Sequence, residues 1–197
     1  FTEINGELGW HFSMFVRTNS LADLFYKVRV QMDGYTDAAI TRSLLYTKTS
    51  QGKNRRKVEV PFNWDEMRAW YINKGEKHAS VELTAGSFDP LSMFFAFRLF
   101  DLEVGKELEI PVSDGKKMVP GRAAVLKREE IDVYGTAYDT FLVRVDMGDM
   151  DSIFQKSRDA DLFIWVTTDE RRVPVRIKSS VVVGSFVVEL YEEEYIE

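Results

Sequence analysis

The sequence predicts an all-β fold, either a large curved antiparallel sheet or an open β-barrel, with one apolar helix. Three observations support this prediction. About ten short stretches alternate apolar and polar residues, which places successive side chains on opposite faces of a strand. Short turn signals separate these stretches, as in a meander of hairpins. One segment, which begins at Asp89, instead has apolar residues at helical spacing.

The first half of the chain is predicted to form a run of strands. The clearest alternation places Trp10 and Phe12 on one face of the first strand and His11 on the other. Asp33-Gly34 is interpreted as a turn. Pro61 cannot donate a hydrogen bond to a neighbouring strand, so its strand is expected at an edge or next to a bulge. The predicted strands are 6–18, 25–32, 44–49, 58–64, 67–72 and 77–83.

A helix is predicted to follow these strands. Asp89 is expected to cap it, with Pro90 at the first helical position. Gly105 lies where the helix is expected to have ended. Because the segment is apolar nearly all round, we expect it to be buried against a sheet or to plug a barrel. Its apolar residues are Leu91, Phe94, Phe95, Phe97, Leu99, Phe100 and Leu102.

The remainder of the chain returns to strand patterns, and the thirteen stretches named for the whole chain are expected to form about eleven strands. Residues 148–159 are the longest stretch without a clear pattern. The strands predicted after the helix are 108–112, 118–128, 131–133, 141–147, 162–167, 173–179 and 181–191.

Composition limits the classes of function. A chain of 197 residues, 45% of them hydrophobic, is expected to fold as a single β domain over residues 1–197. The net charge of −6 disfavours nucleic acid and anionic membrane surfaces, since both bind basic surfaces. The absence of cysteine excludes disulfides, thiolate zinc sites and cysteine nucleophiles. No apolar run reaches the roughly 18 residues that a membrane-spanning helix needs.

Three motifs resemble the DUF3108 family, in the family's order and at similar spacing. They are Leu24-Phe25-Tyr26-Lys27-Val28-Arg29, Asp89-Pro90-Leu91-Ser92, and Trp165-Val166-Thr167-Thr168-Asp169 through Arg172-Val173-Pro174-Val175-Arg176-Ile177. The resemblance implies a bacterial protein with a signal peptide, and therefore export to the periplasm or beyond, and no assigned activity. Since Phe1 is not an initiator methionine, we expect a mature or trimmed start without that peptide.

Two further properties of known families bear on the fold. Members of the DUF3108 family usually begin with a strand or two ahead of the one that corresponds to the strand of Trp10. The hairpin from Trp165 to Ile177 is also similar to a motif in periplasmic lipoprotein carriers of the LolA/LolB type. Those carriers are open β-barrels with an apolar cavity closed by helices, so this similarity implies a cavity here.

Six aromatic residues are candidates to line such a cavity. Trp70 and Trp165 lie in strands with apolar residues on both faces. A cluster of phenylalanines in the helix could serve as the plug or lid of an apolar pocket; it consists of Phe94, Phe95, Phe97 and Phe100. Core packing is the commoner role of such tryptophans, and a buried helix is the simplest interpretation of the phenylalanine cluster.

No catalytic residue, cofactor or metal is predicted. His11 and His78 lie on polar strand faces, and no nucleophile elbow is present. The acidic residues Asp146, Asp149 and Asp151 miss the EF-hand spacing, which favours a polar loop over a calcium site. The basic run from Lys53 through Arg55 and Arg56 to Lys57 is interpreted as a solvated hairpin.

Three functions remain open at this point. The leading hypothesis is an exported, non-enzymatic protein that binds an apolar or amphipathic, lipid-like ligand in an open barrel. The alternative is a cell-envelope interaction or scaffold module with a filled core, which would bind a protein partner through a surface or a sheet edge. The third is a hydrolase of envelope glycan, which requires a cleft that gathers carboxylates with separated pKa values.

Overall fold

A computed structural model describes residues 2–4, 6–17, 29–51, 55–146, 162–180 and 185–190. Within these ranges the chain forms thirteen strands and one short helix, and every strand pair is antiparallel. The prediction of an antiparallel all-β fold with one helix is confirmed. The strands form two sheets, and the helix lies between these sheets in the sequence.

The first sheet has seven strands, each paired with the next strand along the chain. This order follows from the short connections, because consecutive antiparallel strands need only a tight turn between them. The strands are β1 (Thr2–Ile4), β2 (Glu7–Arg17), β3 (Arg29–Asp37), β4 (Ser43–Gln51), β5 (Arg56–Asn63), β6 (Arg68–Asn73) and β7 (Glu76–Glu82).

The second sheet has six strands, which also follow chain order from one side to the other. It comprises β8 (Glu107–Ser113), β9 (Met118–Val133), β10 (Thr136–Asp146), β11 (Leu162–Thr167), β12 (Pro174–Ser180) and β13 (Ser185–Glu189). Strand β11 has the predicted bounds, and two predicted strands are joined in the sixteen-residue β9.

Strand β1 lies ahead of the strand that contains Trp10. It pairs with the start of β2, with Thr2 opposite Gly9 and Ile4 opposite Glu7. The family pattern, which places a strand before that of Trp10, is therefore met by a strand of three residues. Alternation could not reveal it, because three residues are too few to show a period of two.

The predicted turn at Asp33-Gly34 is wrong. Both residues lie inside β3, which continues to Asp37. A Cβ atom at position 34 would lie 2.4 Å from Oγ of Ser92, so this glycine permits a close approach of the helix start. A glycine inside a strand often marks such an approach. In the sequence, however, the pair Asp33-Gly34 has the composition of a turn, and this is why a turn was predicted.

Pro61 lies in β5, which pairs with both β4 and β6 and is therefore not an edge strand. Its pairing with β4 is regular, with Pro61 opposite Leu45. Towards β6, residues 58–59 and 62–63 have partners and residues 60–61 have none within this described stretch. The missing N–H of proline thus falls at an interruption of the ladder.

The helix α1 comprises only Ser92–Phe97, and the residues after it form turns and irregular backbone. Leu91, Met93 and Ala96 are buried at its start, as predicted for an apolar helix. Leu99 and Phe100, which the sequence places in the same buried helix, are exposed. The prediction is therefore correct for the start of the helix and for the burial of Leu102, and wrong for the end of the helix and for the burial of Leu99 and Phe100.

By its internal contacts the chain divides into two compact units. Unit 1 contains Phe1–Ala96 together with Ile110–Val119, and unit 2 contains Phe97–Glu109 together with Pro120–Glu197. Each unit buries its own apolar residues: Met32, Val60, Phe62, Leu91 and Met93 in unit 1, and Val125, Val143, Val145, Leu162 and Val175 in unit 2. The assignment of residues 1–197 to a single domain stays a prediction.

Candidate functional site

A buried carboxylate fixes the start of the helix. Asp89 has no exposed surface, and its Oδ1 accepts hydrogen bonds from the N–H groups of Leu91 at 2.8 Å and Ser92 at 2.9 Å. Its Oδ2 accepts a bond of 2.6 Å from the hydroxyl of Ser43, which in turn accepts the N–H of Asp89. Burial raises the pKa of Asp89, and these hydrogen bonds offset only part of that effect. The predicted cap is confirmed, and such an enclosed carboxyl cannot meet a substrate.

The six candidate cavity residues are divided between the two units. Unit 1 holds Trp70, Phe94 and Phe95, and unit 2 holds Phe97, Phe100 and Trp165. The ring of Phe95 stacks on that of Phe12 with the centroids 3.9 Å apart. The rings of Phe97 and Phe100 are tilted relative to each other, with the centroids 6.3 Å apart. That these six residues line a cavity stays a prediction.

Both candidate tryptophans are half-buried beside charged side chains. In unit 1 the Nζ atom of Lys77 lies 3.9 Å from the ring centroid of Trp70. In unit 2 Trp165 donates its indole N–H to Oε1 of Glu129 at 2.9 Å, and its ring packs against the buried cluster of Val133, Val173 and Val175. Each ring therefore has a charged neighbour, and Trp165 has an apolar contact surface as well, which is common for tryptophan at a sheet surface.

Unit 2 exposes a run of large apolar side chains directly after the helix. We call residues 97–104 the apolar segment. Leu99 is 62% exposed, Phe100 41% and Val104 56%, while Phe97 and Leu102 are buried and anchor the segment. Single exposed apolar residues are ordinary, but three within six residues form the kind of patch that binds a ligand or partner.

Two arginines connect the apolar segment to the turn between β11 and β12. Arg98 donates from Nη2 to the carbonyl oxygen of Arg171 at 2.5 Å. Nη2 of Arg172 lies 3.8 Å from Oδ1 of Asp101, which is too long for a hydrogen bond. The Arg172 side chain is only 17% exposed, and its buried Nη1 atom has no hydrogen-bond partner in the described part of the chain.

A separate shallow groove of about 210 Å³ lies on the second sheet. Its charged lining residues are Glu107, Glu109, Arg122, Arg144 and Asp146, and none of the six candidate aromatics lines it. Arg122 binds Glu109 at 2.9 Å. The groove suits a polar rather than an apolar ligand. It gathers carboxylates, the feature that a glycan hydrolase requires, and that function stays a prediction.

Sequence reasoning missed a polar cluster on β2 and β3. His11 Nε2 lies 2.9 Å from Oδ1 of Asp33, and the His11 ring stacks on Tyr35 at 4.4 Å. Partial burial raises the pKa of Asp33, but the hydrogen bonds from His11, Ser13 and Gln31 outweigh it and hold that pKa below 3.8. The signal was available, since an antiparallel pairing of these strands places Ser13 opposite Asp33. The mistaken turn at Asp33-Gly34 concealed it.

The other candidates remain without a chemical assignment. His78 is exposed, and its ring and the ring of Tyr71 lie in a T-shaped arrangement with the centroids 5.4 Å apart. Asp149, Asp151 and Lys53 lie outside the described residues. Within the ranges described, histidine, aspartate and glutamate form no group of three that could hold a metal ion. The helix found in those ranges is too short to cross a membrane.

Comparison with known proteins identifies the family. The family described as "Protein of unknown function (DUF3108)" matches residues 1–191. The chain belongs to the DUF3108 family. No curated protein matches this DUF3108 chain. Among solved structures it is similar to a beta-barrel-like protein of the domain of unknown function DUF1849 from Brucella abortus, with a TM-score of 0.52 and 10% identity over 93% of this chain and 83% of the other. At this identity the likeness shows the fold alone.

Proposed function

We propose that this DUF3108 protein is an exported, non-enzymatic protein that binds an apolar or amphipathic, lipid-like ligand. The observation that supports the proposal is the apolar segment, in which Leu99, Phe100 and Val104 are exposed in close succession. Residues of this kind cost free energy in water, and a ligand that covers them removes that cost. The exported location comes from the family resemblance.

The strength of such binding can be bounded. Complete burial of one large apolar side chain contributes about 1.5–3 kcal/mol, and the three side chains are already partly covered, so we expect about 2–5 kcal/mol from this surface. Association itself costs several kcal/mol. The apolar segment therefore needs a second contribution, from further apolar contacts or from a polar group of the ligand.

Native mass spectrometry tests the proposal. The protein is purified from a bacterial envelope and measured before and after extraction with organic solvent. We expect a bound lipid-like molecule whose mass is lost on extraction. Leu99→Ser should reduce the occupied fraction, whereas Leu8→Ser should not, because Leu8 is equally exposed at 61% but lies in β2.

Two results would contradict the proposal. A bare protein mass before extraction would show that no such ligand is retained. Equal loss of ligand in both serine variants would show that the apolar segment is not its site. The location has its own test: when the full-length precursor is expressed, its processed form should appear in the fraction released by osmotic shock, and recovery only with the cytoplasmic fraction would contradict export.

A second candidate function, a protein-interaction module, is favoured by strand β13. Val187 is 51% and Val188 43% exposed, although neighbouring residues of a strand face opposite sides. Among the described strands β13 pairs with β12 alone, and a strand with both faces and one edge accessible can pair with another chain. Sedimentation velocity should then show a dimer that Val187→Lys dissociates, and a monomer at all concentrations would remove self-association.

A further inference from the structure

We propose that the ligand is an anionic amphiphile whose oxyanion is held by Arg172 and Arg98 while its apolar part covers the apolar segment. This inference rests on the proposed function, because it assigns the polar end of the same ligand. The first reason is the state of Arg172. The Arg172 side chain is only 17% exposed, its Nη1 is buried without a hydrogen-bond partner in the described residues, and its Nη2 lies 3.8 Å from the carboxylate oxygen of Asp101.

An oxyanion is the chemical group that can bind Nη2 of Arg172 more closely than Asp101 does. A guanidinium donates strong, charge-assisted hydrogen bonds to an oxygen of a carboxylate or phosphate. The present partner of Arg172, Asp101, is a poor substitute, since it lies 3.8 Å away and is 74% exposed. Such an ion pair contributes little, and an oxyanion of a ligand can replace it.

The second reason is that Arg172 is fixed in position. Its backbone has φ of 48°, in the left-handed region that side-chain-bearing residues adopt infrequently. The N–H of Arg172 donates to the carbonyl of Asp169 at 3.2 Å, and the N–H of Val173 donates to Oγ1 of Thr167 at 2.9 Å. Strained positions held by their surroundings are frequent at binding sites, and a turn held in this way presents its side chain without further ordering.

The third reason is the relation of the arginines to the apolar surface. Arg98 belongs to the apolar segment, and its guanidinium donates to the carbonyl of Arg171, the residue before Arg172. The turn therefore brings the guanidinium of Arg98 next to the backbone that carries Arg172. In the same turn Asp169 is engaged by Arg171 at 2.9 Å and by Thr167, and Glu170 is exposed. Asp101, whose Oδ1 lies 3.8 Å from Nη2 of Arg172, is the carboxylate that competes for this nitrogen with an incoming anion.

Isothermal titration calorimetry with three probes tests the inference. The probes are decyl phosphate, which is an anionic amphiphile, decanol, which has the same chain without the charge, and inorganic phosphate, which has the anion without the chain. We expect decyl phosphate to bind roughly tenfold or more tightly than decanol, the ratio that one charge-assisted hydrogen bond supports. Inorganic phosphate alone should bind far more weakly than decyl phosphate.

Three variants assign the preference to residues. Arg172→Gln should remove the preference for decyl phosphate and leave decanol binding unchanged. Asp101→Asn should increase the preference for decyl phosphate over decanol, because it removes the competing carboxylate. Asp101 is 74% exposed, so this substitution should leave the fold intact. Arg128→Gln removes the same charge from an exposed position on β9 and should behave as the wild type.

The outcomes separate the inference from the function on which it rests. Equal affinity for decanol and decyl phosphate would overturn the anionic end and leave the apolar ligand in place. Absence of binding by both amphiphiles would overturn both. Inorganic phosphate as tight as decyl phosphate would mean that an anion binds without the apolar segment. If Arg172→Gln does not fold, an unchanged preference in Asp101→Asn would still contradict the inference.

Discussion

Asp89 shows how one side chain can join parts of a chain that are distant in sequence. Its carboxylate binds the hydroxyl of Ser43 in β4 and the first N–H groups of α1, and Gly34 in β3 leaves the space for this contact. A carboxylate that is fully buried is stable only when all its acceptor positions are used. The start of the helix is therefore fixed against the first sheet through hydrogen bonds as well as apolar contact.

Substitution of Asp89 should separate its two contributions. Asp89→Ala removes the cap and leaves the Ser43 hydroxyl and two N–H groups without acceptors, so we expect a loss of about 2–4 kcal/mol. Asp89→Asn retains the capping oxygen and should cost about 1 kcal/mol. Urea unfolding measures both free energies, and equal losses in the two variants would show that the carboxamide cannot cap here.

The difference between wild type and Asp89→Asn should depend on pH. Because burial raises the pKa of Asp89 above its ordinary 3.8, the folded protein binds the proton more tightly than the unfolded chain does. The stability that Asp89 contributes is then fully present below pH 3.8 and is lost as the pH rises through the folded pKa. The free energy of unfolding of wild type minus that of Asp89→Asn should therefore decrease as the pH increases, and a difference that increases would contradict this.

The residues also show where sequence reasoning succeeds. Asp89-Pro90 predicts a helix start because both residues act locally, through a cap and a fixed φ. The contact of His11 with Asp33 depends instead on the pairing of two strands. Gly34 permits a close approach of the helix start, but in the sequence it resembles a turn residue. The predicted strand therefore ended too early, and Asp33, the partner of His11, was assigned to a turn.

At the scale of elements, the hairpin between β8 and β9 packs on the first sheet where the β5–β6 ladder is interrupted. A Cβ atom at Gly115 would lie 2.9 Å from the backbone nitrogen of Tyr71 and 2.8 Å from Cγ1 of Val60. Lys116, the next residue, places its Nζ 4.1 Å from the ring centroid of Tyr71. The hairpin covers backbone of the first sheet that would otherwise be open at Val60 and Pro61.

Two glycines with the same backbone conformation allow this contact to be measured. Gly115 has φ of 82° and Gly135 has φ of 83°, but a Cβ at Gly135 would meet no atom within 4 Å. Gly135→Ala should cost about 1–2 kcal/mol for the left-handed conformation alone. Gly115→Ala should cost about 1–3 kcal/mol more, since the displaced atoms are backbone. Equal losses in urea unfolding would show that the hairpin is held loosely.

The elements were predictable to different degrees for a physical reason. The sequence identifies β11 with the observed bounds because residues 162–167 form a short apolar run that is followed by the turn residues 168–170. The end of α1 was not predictable from the sequence. The chain leaves the helix before Leu99, where Arg98 and Asp101 lie against the turn that precedes Pro174. That contact joins residues more than seventy positions apart, and no local pattern encodes it.

For the whole molecule, the prediction of a single domain can be tested by unfolding. Trp165 lies in unit 2, and the other three tryptophans, Trp10, Trp64 and Trp70, lie in unit 1. The fluorescence of Trp165→Phe therefore reports on unit 1, while circular dichroism reports on strands of both units. We expect the two transitions in urea to coincide, as for a cooperative single domain. Distinct midpoints would show two domains.

The discontinuity of unit 1 has a consequence for biosynthesis. Residues 110–119 complete this unit, but they are translated only after 97–109, which belong to unit 2. At about 5–20 residues per second, the ribosome adds the missing hairpin one to five seconds after Ala96. During that interval the nascent chain carries a sheet whose ladder is still uncovered at Val60 and Pro61. Under the export proposed above, this delay would keep the polypeptide unfinished, and therefore able to thread through a translocation channel, for as long as the hairpin is missing.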